Sequence, residues 1–298
     1  MDGFLVIDKP AGWTSHDVVA RIRRLAGQKR VGHTGTLDPD ATGVLLVCLG
    51  AATRLIEYIG HYHKVYRTTL ALGVETDSQD ATGVITKVCD ASHITEGDLQ
   101  AALPAFRGGI EQIPPMVSAV HHEGKRLYEL AREGLTVERK PRPVTIYRLD
   151  AAGFHSGEIA RATLYVECSS GTYVRTLCAD IGNVLGVGGH METLRRTAVG
   201  PFTETDATPL DAIESAAISA LVRPAMDLVP KDWPVIACNT GMEVELRHGR
   251  RIPASSEADS AIALANGNLL AVLQREGDQW QPVKVFPHSE SAPKDGGA

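Results

Sequence analysis

The chain has 298 residues, of which 43% are hydrophobic and 22% are charged, and its formal net charge is −6 at pH 7. These values are typical of a folded globular protein with one large domain, or a large domain and a small one. The acidic balance excludes a uniformly basic nucleic-acid-binding protein but permits a local basic patch. No N-terminal stretch has the pattern of a signal peptide or a membrane span, so we expect a cytoplasmic protein.

The first half of the chain alternates strand and helix signals. Thr14 or Ser15 can cap a helix that runs to Ala26, and Gly27 can end it. Thr95 is the expected start of a second long helix. The other predicted elements are strands at residues 4–8, 44–49 and 65–72 and a short helix at residues 53–59.

The second half begins with a loosely patterned segment at residues 113–143, rich in prolines and charges, which indicates an insertion or arm. Pro224, Pro230 and Pro234 mark a boundary, after which short strands predict a small β-barrel. The polar tail, residues 288–298, is predicted to be disordered. The remaining elements are predicted as strands at 144–149, 162–168, 235–236, 262–264, 269–273 and 283–286 and helices at 173–185 and 209–221.

Metal-binding signals are weak in this sequence. The cysteines are odd in number and scattered without a Cys-x-x-Cys pair, which favours reduced thiols over a zinc site. Neither His61 with His63 nor the pair His121 and His122 has an acid or cysteine at metal spacing. We therefore expect no metal. The cysteines are Cys48, Cys89, Cys168, Cys178 and Cys238.

Basic residues cluster in three places, at 21–30, 125–142 and 247–251. Each cluster could lie against a phosphate backbone, but a run of surface charge is more often simply solvated. The clusters therefore permit an RNA ligand without requiring one.

The most informative segment is the loop at residues 32–43, Gly-His-Thr-Gly-Thr-Leu-Asp-Pro-Asp-Ala-Thr-Gly. Its glycines predict a turn-rich loop before a buried strand, and Pro39 restricts the backbone of Asp38 to an extended conformation. A carboxylate whose direction is fixed in this way is a candidate reactive group. Ordinary Asp-Pro turn chemistry is the alternative.

This loop resembles the catalytic motif of the TruB family of tRNA pseudouridine synthases. Further segments resemble other motifs of the family in the family's order, so the resemblance covers roughly residues 3–230. They are residues 9–15, 64–67, 76–83, 113–119, 170–176 and 190–196.

The resemblance implies an α+β pseudouridine synthase fold, a mixed and mostly antiparallel sheet with flanking helices around a central cleft. It implies a catalytic domain at 1–229 with an RNA-gripping insertion at about 112–142. The small β-rich unit at 230–287 would be a PUA-like RNA-binding barrel, followed by the tail at 288–298.

The resemblance also assigns the site. Asp38 would be the catalytic carboxylate and Arg175 its charge partner. Tyr66 would be the active-site tyrosine that stacks on the uracil and accepts the proton from C5, with a core aromatic residue as the alternative. A guanidinium beside a carboxylate can lower its pKa by about 1–3 units, against the effect of burial. The residues implied to bind the substrate are His33, Tyr173, Leu194 and Lys9. Lys9, together with Pro10, would mainly support the catalytic loop.

The implied reaction converts uridine to pseudouridine at position 55, in the TΨC loop of tRNA, with the base everted. Isomerisation changes no oxidation state and loses no atom, so no cofactor or metal is expected. The partner would be the tRNA stem-loop alone, with no membrane, guide RNA or protein partner, and the enzyme is expected to be a monomer. Attack at C1′, attack at C6 and a glycal route all remain open.

Two other functions remain as alternatives. The chain could bind or fold RNA without catalysis, in which case Asp38 would be dispensable. It could instead be a magnesium-dependent phosphohydrolase that uses Asp38 and Asp40. Asp77 and Asp80 are expected to be structural, with a magnesium pair as the weaker interpretation, because hard cations usually require more oxygen ligands.

Overall fold

The computed structural model describes residues 1–118, 121–122, 124–127, 130, 133–135 and 137–287. Part of the expected arm at 113–143 lies outside the described residues, including part of residues 127–131, which we expect to form a short amphipathic piece. The tail at 288–298, predicted to be disordered, lies outside them entirely. In the described part, no helix has the length and apolar character needed to cross a membrane.

The described strands and helices follow the alternation that the sequence predicts. The strands are β1 Gly3–Lys9, β2 Val31–His33, β3 Thr42–Leu49, β4 Lys64–Leu72, β5 Val74–Thr76, β6 Ile85–Val88, β7 Gly108–Gln112, β8 His121–His122, β9 Lys125–Arg126, β10 Arg142–His155, β11 Ala160–Cys168, β12 Gly189–Val199, β13 Phe202–Thr203, β14 Thr208–Pro209, β15 Val235–Ala237, β16 Ile252–Pro253, β17 Ser260–Ala265, β18 Asn268–Glu276 and β19 Gln279–Val285. The helices are α1 Ser15–Ala26, α2 Ile56–Ile59, α3 Glu96–Ala102, α4 Val174–Val184, α5 Ile218–Leu221 and α6 Thr240–Arg247.

A ten-stranded sheet forms the body of the protein, in the order β14-β1-β3-β12-β4-β11-β10-β7, with β2 on β3 and β13 on β12. Its pairs are antiparallel except β1 with β14 and β3 with β12. The predicted α+β class with a mixed, mostly antiparallel sheet is therefore confirmed. Helices α3 and α4 cover part of one face, where Leu99, Leu177 and Ile181 are buried in the largest apolar core.

Helix α1 shows why the local prediction succeeded. The Thr14 side chain accepts a hydrogen bond from the backbone of Asp17, whose carboxylate accepts one from the Thr14 backbone. Val18 and Ile22 are fully buried on its apolar face. Gly27 ends the helix with φ of 61°, a conformation that glycine adopts without strain.

Several elements differ from the prediction, such as the strands β2, β5, β6 and β7, which are absent from it. Two of the differences, at β12 and at residues 209–221, have a clear physical reason. The central strand β12 was not predicted, because its charged residues mask the alternation of a buried strand. The single helix predicted at 209–221 is wrong: a 3-10 turn, Leu210–Ala212, is followed by the extended Ile213 and the single-turn helix α5. Leu210 and Ile218 are still buried in the core beneath α1. The apolar spacing of residues 209–221 therefore arises from burial of an irregular segment and not from a continuous helix.

The C-terminal unit is a five-stranded sheet in the order β15-β17-β18-β19-β16, which confirms the predicted small β unit. Helix α6 is an addition that the sequence reading did not foresee; Asn239 caps it. Ile262, Val272 and Phe286 of this unit share an apolar core with Val44 and Leu46 of β3. The two units are therefore joined by a buried apolar contact.

Candidate active site

A cavity of about 310 Å³ opens where the loop before β3, the start of β4, the turn before α4 and the middle of β12 meet. The volume lies at the low end of the range for small-ligand sites. Five of the residues assigned from the sequence line it: Asp38, Tyr66, Tyr173, Arg175 and Leu194. The chain thus brings together residues up to 156 positions apart, from Asp38 to Leu194.

Hydrogen bonds to α1 and to the 9–13 segment fix the loop that carries Asp38. The Ser15 hydroxyl accepts from the Leu37 amide at 2.9 Å, and Leu37 itself is buried in the core. The Gly12 amide donates to the Pro39 carbonyl at 3.0 Å. These contacts hold both sides of Asp38, so the direction of its carboxylate is set by the fold rather than by the loop alone.

Lys9 also supports this loop. Its side chain is fully buried, and its ammonium donates to the carbonyls of Pro10, Trp13 and Pro39 at 2.9, 2.6 and 2.8 Å. An ammonium has three N–H donors, and here all three have carbonyl partners. This geometry favours the supporting role over direct contact with a substrate.

Arg175 lies against Asp38, as the sequence predicts. Its Nε is 3.1 Å from Asp38 Oδ2, and its Nη2 is 3.4 Å from Oδ1. Arg175 is itself buried. Its guanidinium also donates hydrogen bonds to the carbonyls of Ser78 and Val117, at 3.3 and 2.8 Å, which fix its position. A two-point contact with a buried guanidinium restrains the carboxylate in both position and charge.

Asp80 completes this arrangement, and sequence reasoning gave it no part in the site. Its Oδ2 accepts from Arg175 Nη1 at 3.3 Å. Hydrogen bonds from Ser78 and Thr82 hold the pKa of Asp80 below its ordinary value. Asp80 is therefore an ionised group that positions Arg175. The only signal for it in the sequence was its place in the 76–83 segment.

The Asp38 carboxylate is subject to opposing influences. Burial in the pocket raises its pKa above the ordinary value, and Arg175, followed by Lys9, acts in the opposite direction. The acids Asp80 and Asp40 add to the upward shift. The expected effect of the guanidinium is present, but it does not fully cancel the effect of burial. The side chain is still 38% exposed toward the cavity, so a ligand can reach it.

Tyr66 and Arg196 also line the cavity. Burial raises the pKa of Tyr66, and the positive charge of Arg196 opposes that shift. Arg196 is buried and donates to the carbonyls of Val44, Thr36 and Gly35, at 2.7, 3.5 and 3.2 Å. Arg196 has no role in the sequence-based prediction, because its burial depends on carbonyl partners that are distant along the chain.

The start of α4 is fixed by Gln112, a third residue without a role in the sequence-based prediction. The side-chain amide of the buried Gln112 accepts from the Tyr173 amide at 2.9 Å and donates to the Tyr173 carbonyl at 3.2 Å. Tyr173 precedes the first turn of α4, and Arg175 lies within that turn. Strand β7 thereby positions the arginine.

His33 lies in β2, opposite Val47, and is not among the residues that line the cavity. Burial lowers its pKa, and the neighbouring His16 adds to this effect. The imidazole is therefore neutral near pH 7 and offers a flat, uncharged face. Its role on the substrate side, which the resemblance implies, remains a prediction.

No cluster of three or more metal-ligating side chains occurs in the part of the chain that is described. Asp77 accepts from the Val84 amide at 2.9 Å, and Asp80 is engaged by Arg175 and its own loop. These two acids therefore have structural partners, as expected, and the weaker magnesium interpretation gains no support from their geometry.

Comparison with the profiles of known protein families identifies the class of protein to which this chain belongs. Residues 23–174 match the profile of the TruB family pseudouridylate synthase N-terminal domain, and residues 175–226 match that of the tRNA pseudouridylate synthase B C-terminal domain. The cavity lined by Asp38 and Arg175 lies within this matched region. The protein is thus a pseudouridine synthase, an isomerase.

The relatives narrow the class to a family. The chain is 45% identical to tRNA pseudouridine synthase B of Thermobifida fusca over 97% of its length and 99% of the relative's. It is 50% identical to the protein of that name from Symbiobacterium thermophilum, covering 84% of this chain and 82% of that one. The chain belongs to the TruB family of tRNA pseudouridine synthases.

A solved structure supports the fold. The Cbf5-Nop10-Gar1 complex contains a chain that superimposes with a TM-score of 0.71 at 26% identity, over 96% of this chain and 85% of that one. The similarity spans both the large sheet and the C-terminal unit, since it covers nearly the whole length.

Proposed function

We propose that this enzyme isomerises uridine 55 in the TΨC loop of tRNA, with the base everted into the cavity beside Asp38. The observation that carries this proposal is the two-point contact between Asp38 and the buried Arg175 inside a pocket of ligand size. Relatives that share nearly the whole chain are named for tRNA. The sequence resemblance supplies the position within tRNA.

The pocket suits an uncharged pyrimidine. Tyr66, Tyr173 and Leu194 supply flat and apolar surface, and stacking on an aromatic side chain is worth about 1–3 kcal/mol per base. Everting a base costs a few kcal/mol, which such contacts can offset. Asp38 then faces the ribose or the uracil as the ionised group that the reaction needs.

The bond changes in the reaction define the proton transfers. The N1–C1′ bond breaks, the C5–C1′ bond forms, and the C5 proton must leave while N1 takes up a proton from solvent. Tyr66 is our candidate for accepting the C5 proton. Its phenol is neutral, so it must first give its own proton to solvent, and the positive charge of Arg196, which acts to lower the pKa of Tyr66, favours the phenolate.

We assign residues 1–229 to catalysis, the arm at about 112–142 to gripping the RNA loop, and the unit at 230–287 to a PUA-like accessory domain. The enzyme would act in the cytoplasm as a monomer, on tRNA alone, with no guide RNA, protein partner or cofactor. The aligned neighbour, in contrast, was solved as part of the Cbf5-Nop10-Gar1 complex.

The test is a reconstitution with purified protein and an unmodified tRNA transcript, in buffer that contains EDTA. We expect one pseudouridine per transcript, mapped to position 55, and no product from a transcript with cytidine at that position. Product elsewhere would contradict the position, and a requirement for metal would contradict the cofactor-free route. Tight binding without any product would favour the RNA-binding alternative.

A further inference from the structure

Lys64 is a buried cation in the pocket wall that the proposed reaction does not use. It begins β4, two residues before Tyr66 and on the same face of the strand, about 7 Å away along it. The side chain lines the cavity, and its ammonium donates to the Gly60 carbonyl at 2.7 Å. Within the described part of the chain, no carboxylate forms an ion pair with this ammonium.

The other two pocket cations are already engaged. Arg175 pairs with Asp38 and Asp80, and Arg196 is surrounded by backbone carbonyls. A buried charge without a counter-ion is unfavourable, and the fold offers Lys64 none among the residues described. An anion supplied by the ligand would relieve this cost.

The electrostatic surroundings of Lys64 support this argument. Burial lowers its pKa to about 8, and the Arg196 guanidinium contributes in the same direction. The titratable group on the adjacent strand, the Cys168 thiol, is neutral near pH 7 because burial raises its pKa to about 11. An arriving anion would therefore find a protonated, undercompensated ammonium at neutral pH.

Within an RNA ligand, uracil and ribose are neutral, and the phosphodiester is the anion that each nucleotide brings. We propose that Lys64 binds a phosphate of the everted nucleotide. This proposal rests on the proposed function and goes beyond it. The contact would hold the everted nucleotide in the cavity equally before and during the reaction, so its contribution is to binding.

The test compares three variants by tritium release from 5-labelled uridine in tRNA, over a range of salt concentrations. Lys64→Met removes the charge, and Lys64→Arg keeps it. Lys87→Met is the matched control, because Lys87 is exposed and already pairs with Glu75. Steady-state kinetics give KM and kcat separately, and direct tRNA binding at each salt concentration gives the electrostatic slope.

We expect Lys64→Met to raise KM about tenfold or more, as for a lost hydrogen bond to a charged group, with a much smaller change in kcat. The slope of log binding constant against log salt should become shallower by about 0.7–1. Lys64→Arg should keep most of the affinity, and Lys87→Met should match the wild type. An unchanged KM and slope in Lys64→Met would overturn the proposal.

Thermal unfolding separates this role from a structural one. Removing an undercompensated buried cation should leave the melting temperature of Lys64→Met unchanged or raise it. A lowered melting temperature with an unchanged salt slope would show a structural lysine and overturn the proposal. If the wild type does not modify position 55, the proposed function fails by itself, and the salt slope for tRNA binding still decides the role of Lys64.

Discussion

In the proposed reaction the carboxylate of Asp38 acts in its ionised form. Burial raises its pKa, and Arg175 is the largest opposing influence. The proposed everted base would need a cavity from which water is excluded, so the burial that would suit the substrate disfavours the charge. Asp80 contributes indirectly, because it fixes the guanidinium that offsets this cost.

The pH dependence follows from these charges. Activity should fall as the pH drops through the pKa of Asp38, at a higher pH than for an ordinary aspartate at about 3.9. Arg175→Met should move this acid limb of the kcat profile upward by about one unit or more, because the opposing charge is gone.

Arg175→Lys, which keeps a positive charge, is the control and should move the limb less. Circular dichroism must show that both variants are folded, since Arg175 is buried. An acid limb that stays in place in Arg175→Met would mean that the guanidinium does not tune Asp38.

At the scale of elements, the site depends on how β7, α4 and the 32–43 loop are fastened together. Gln112 ties β7 to the residue before α4, and Ser15 and Lys9 tie the loop to α1 and the segment before it. We call Gln112, Ser15 and Lys9 the anchor residues. None of them is among the proposed reacting groups. The anchors fix distances between groups that would otherwise move independently.

Gln112→Ala tests this anchoring. It leaves the Tyr173 amide and carbonyl without their side-chain partners, which should lower the free energy of unfolding by about 2–4 kcal/mol. We also expect kcat to fall, because Arg175 lies in the adjoining turn. Urea unfolding and tritium release measure the two effects.

Gln100→Ala is the matched control: Gln100 is exposed and makes one long hydrogen bond, at 3.4 Å to the Ala151 carbonyl. This variant should stay within about 0.5 kcal/mol of the wild type. If Gln112→Ala behaves in the same way, the buried amide is not an anchor.

The same scale shows what the sequence can predict. Helix α1 was predictable because Thr14, Gly27 and its apolar spacing are local signals. Strand β12 was not, because buried Arg196 makes sense only beside carbonyls of a distant loop. Likewise Asp38, Arg175 and Tyr66 were recognisable from motifs, whereas Gln112 and Asp80 act through contacts that no local pattern reveals.

At the scale of the whole molecule, the C-terminal unit packs against the part of the chain that forms the ten-stranded sheet. Phe286 is buried in the core shared with β3, Lys284 pairs with Glu57 at 2.8 Å, and Arg54 donates to the Val285 carbonyl. We therefore expect the two units to unfold together.

Phe286→Ala should lower the free energy of unfolding by about 3–5 kcal/mol, as for other buried aromatic side chains. Calorimetry should still show a single transition, at a lower temperature. Two separate transitions, with only the smaller one shifted, would contradict coupling between the units.

The two units also differ in whether their clustered arginines pair with acidic residues. The arginines of the 247–251 cluster each pair with a glutamate: Arg247 with Glu243, Arg250 with Glu245 and Arg251 with Glu276. Arg24 in α1 is exposed and has no ion pair among the described residues. The N-terminal cluster is thus the better candidate for phosphate contact.

Arg24→Ala should therefore weaken tRNA binding and make its salt dependence shallower by about one unit, as for one phosphate contact. Arg250→Ala, whose arginine is already compensated, should change the slope much less. Equal slopes in the two variants would contradict this division of charge.

The most direct test of the account is Asp38→Asn, assayed by tritium release from 5-labelled tRNA beside Asp40→Asn, an exposed acid in the same turn. The account predicts no detectable turnover for Asp38→Asn with tRNA affinity largely intact, and near wild-type turnover for Asp40→Asn. Normal turnover in Asp38→Asn would contradict it.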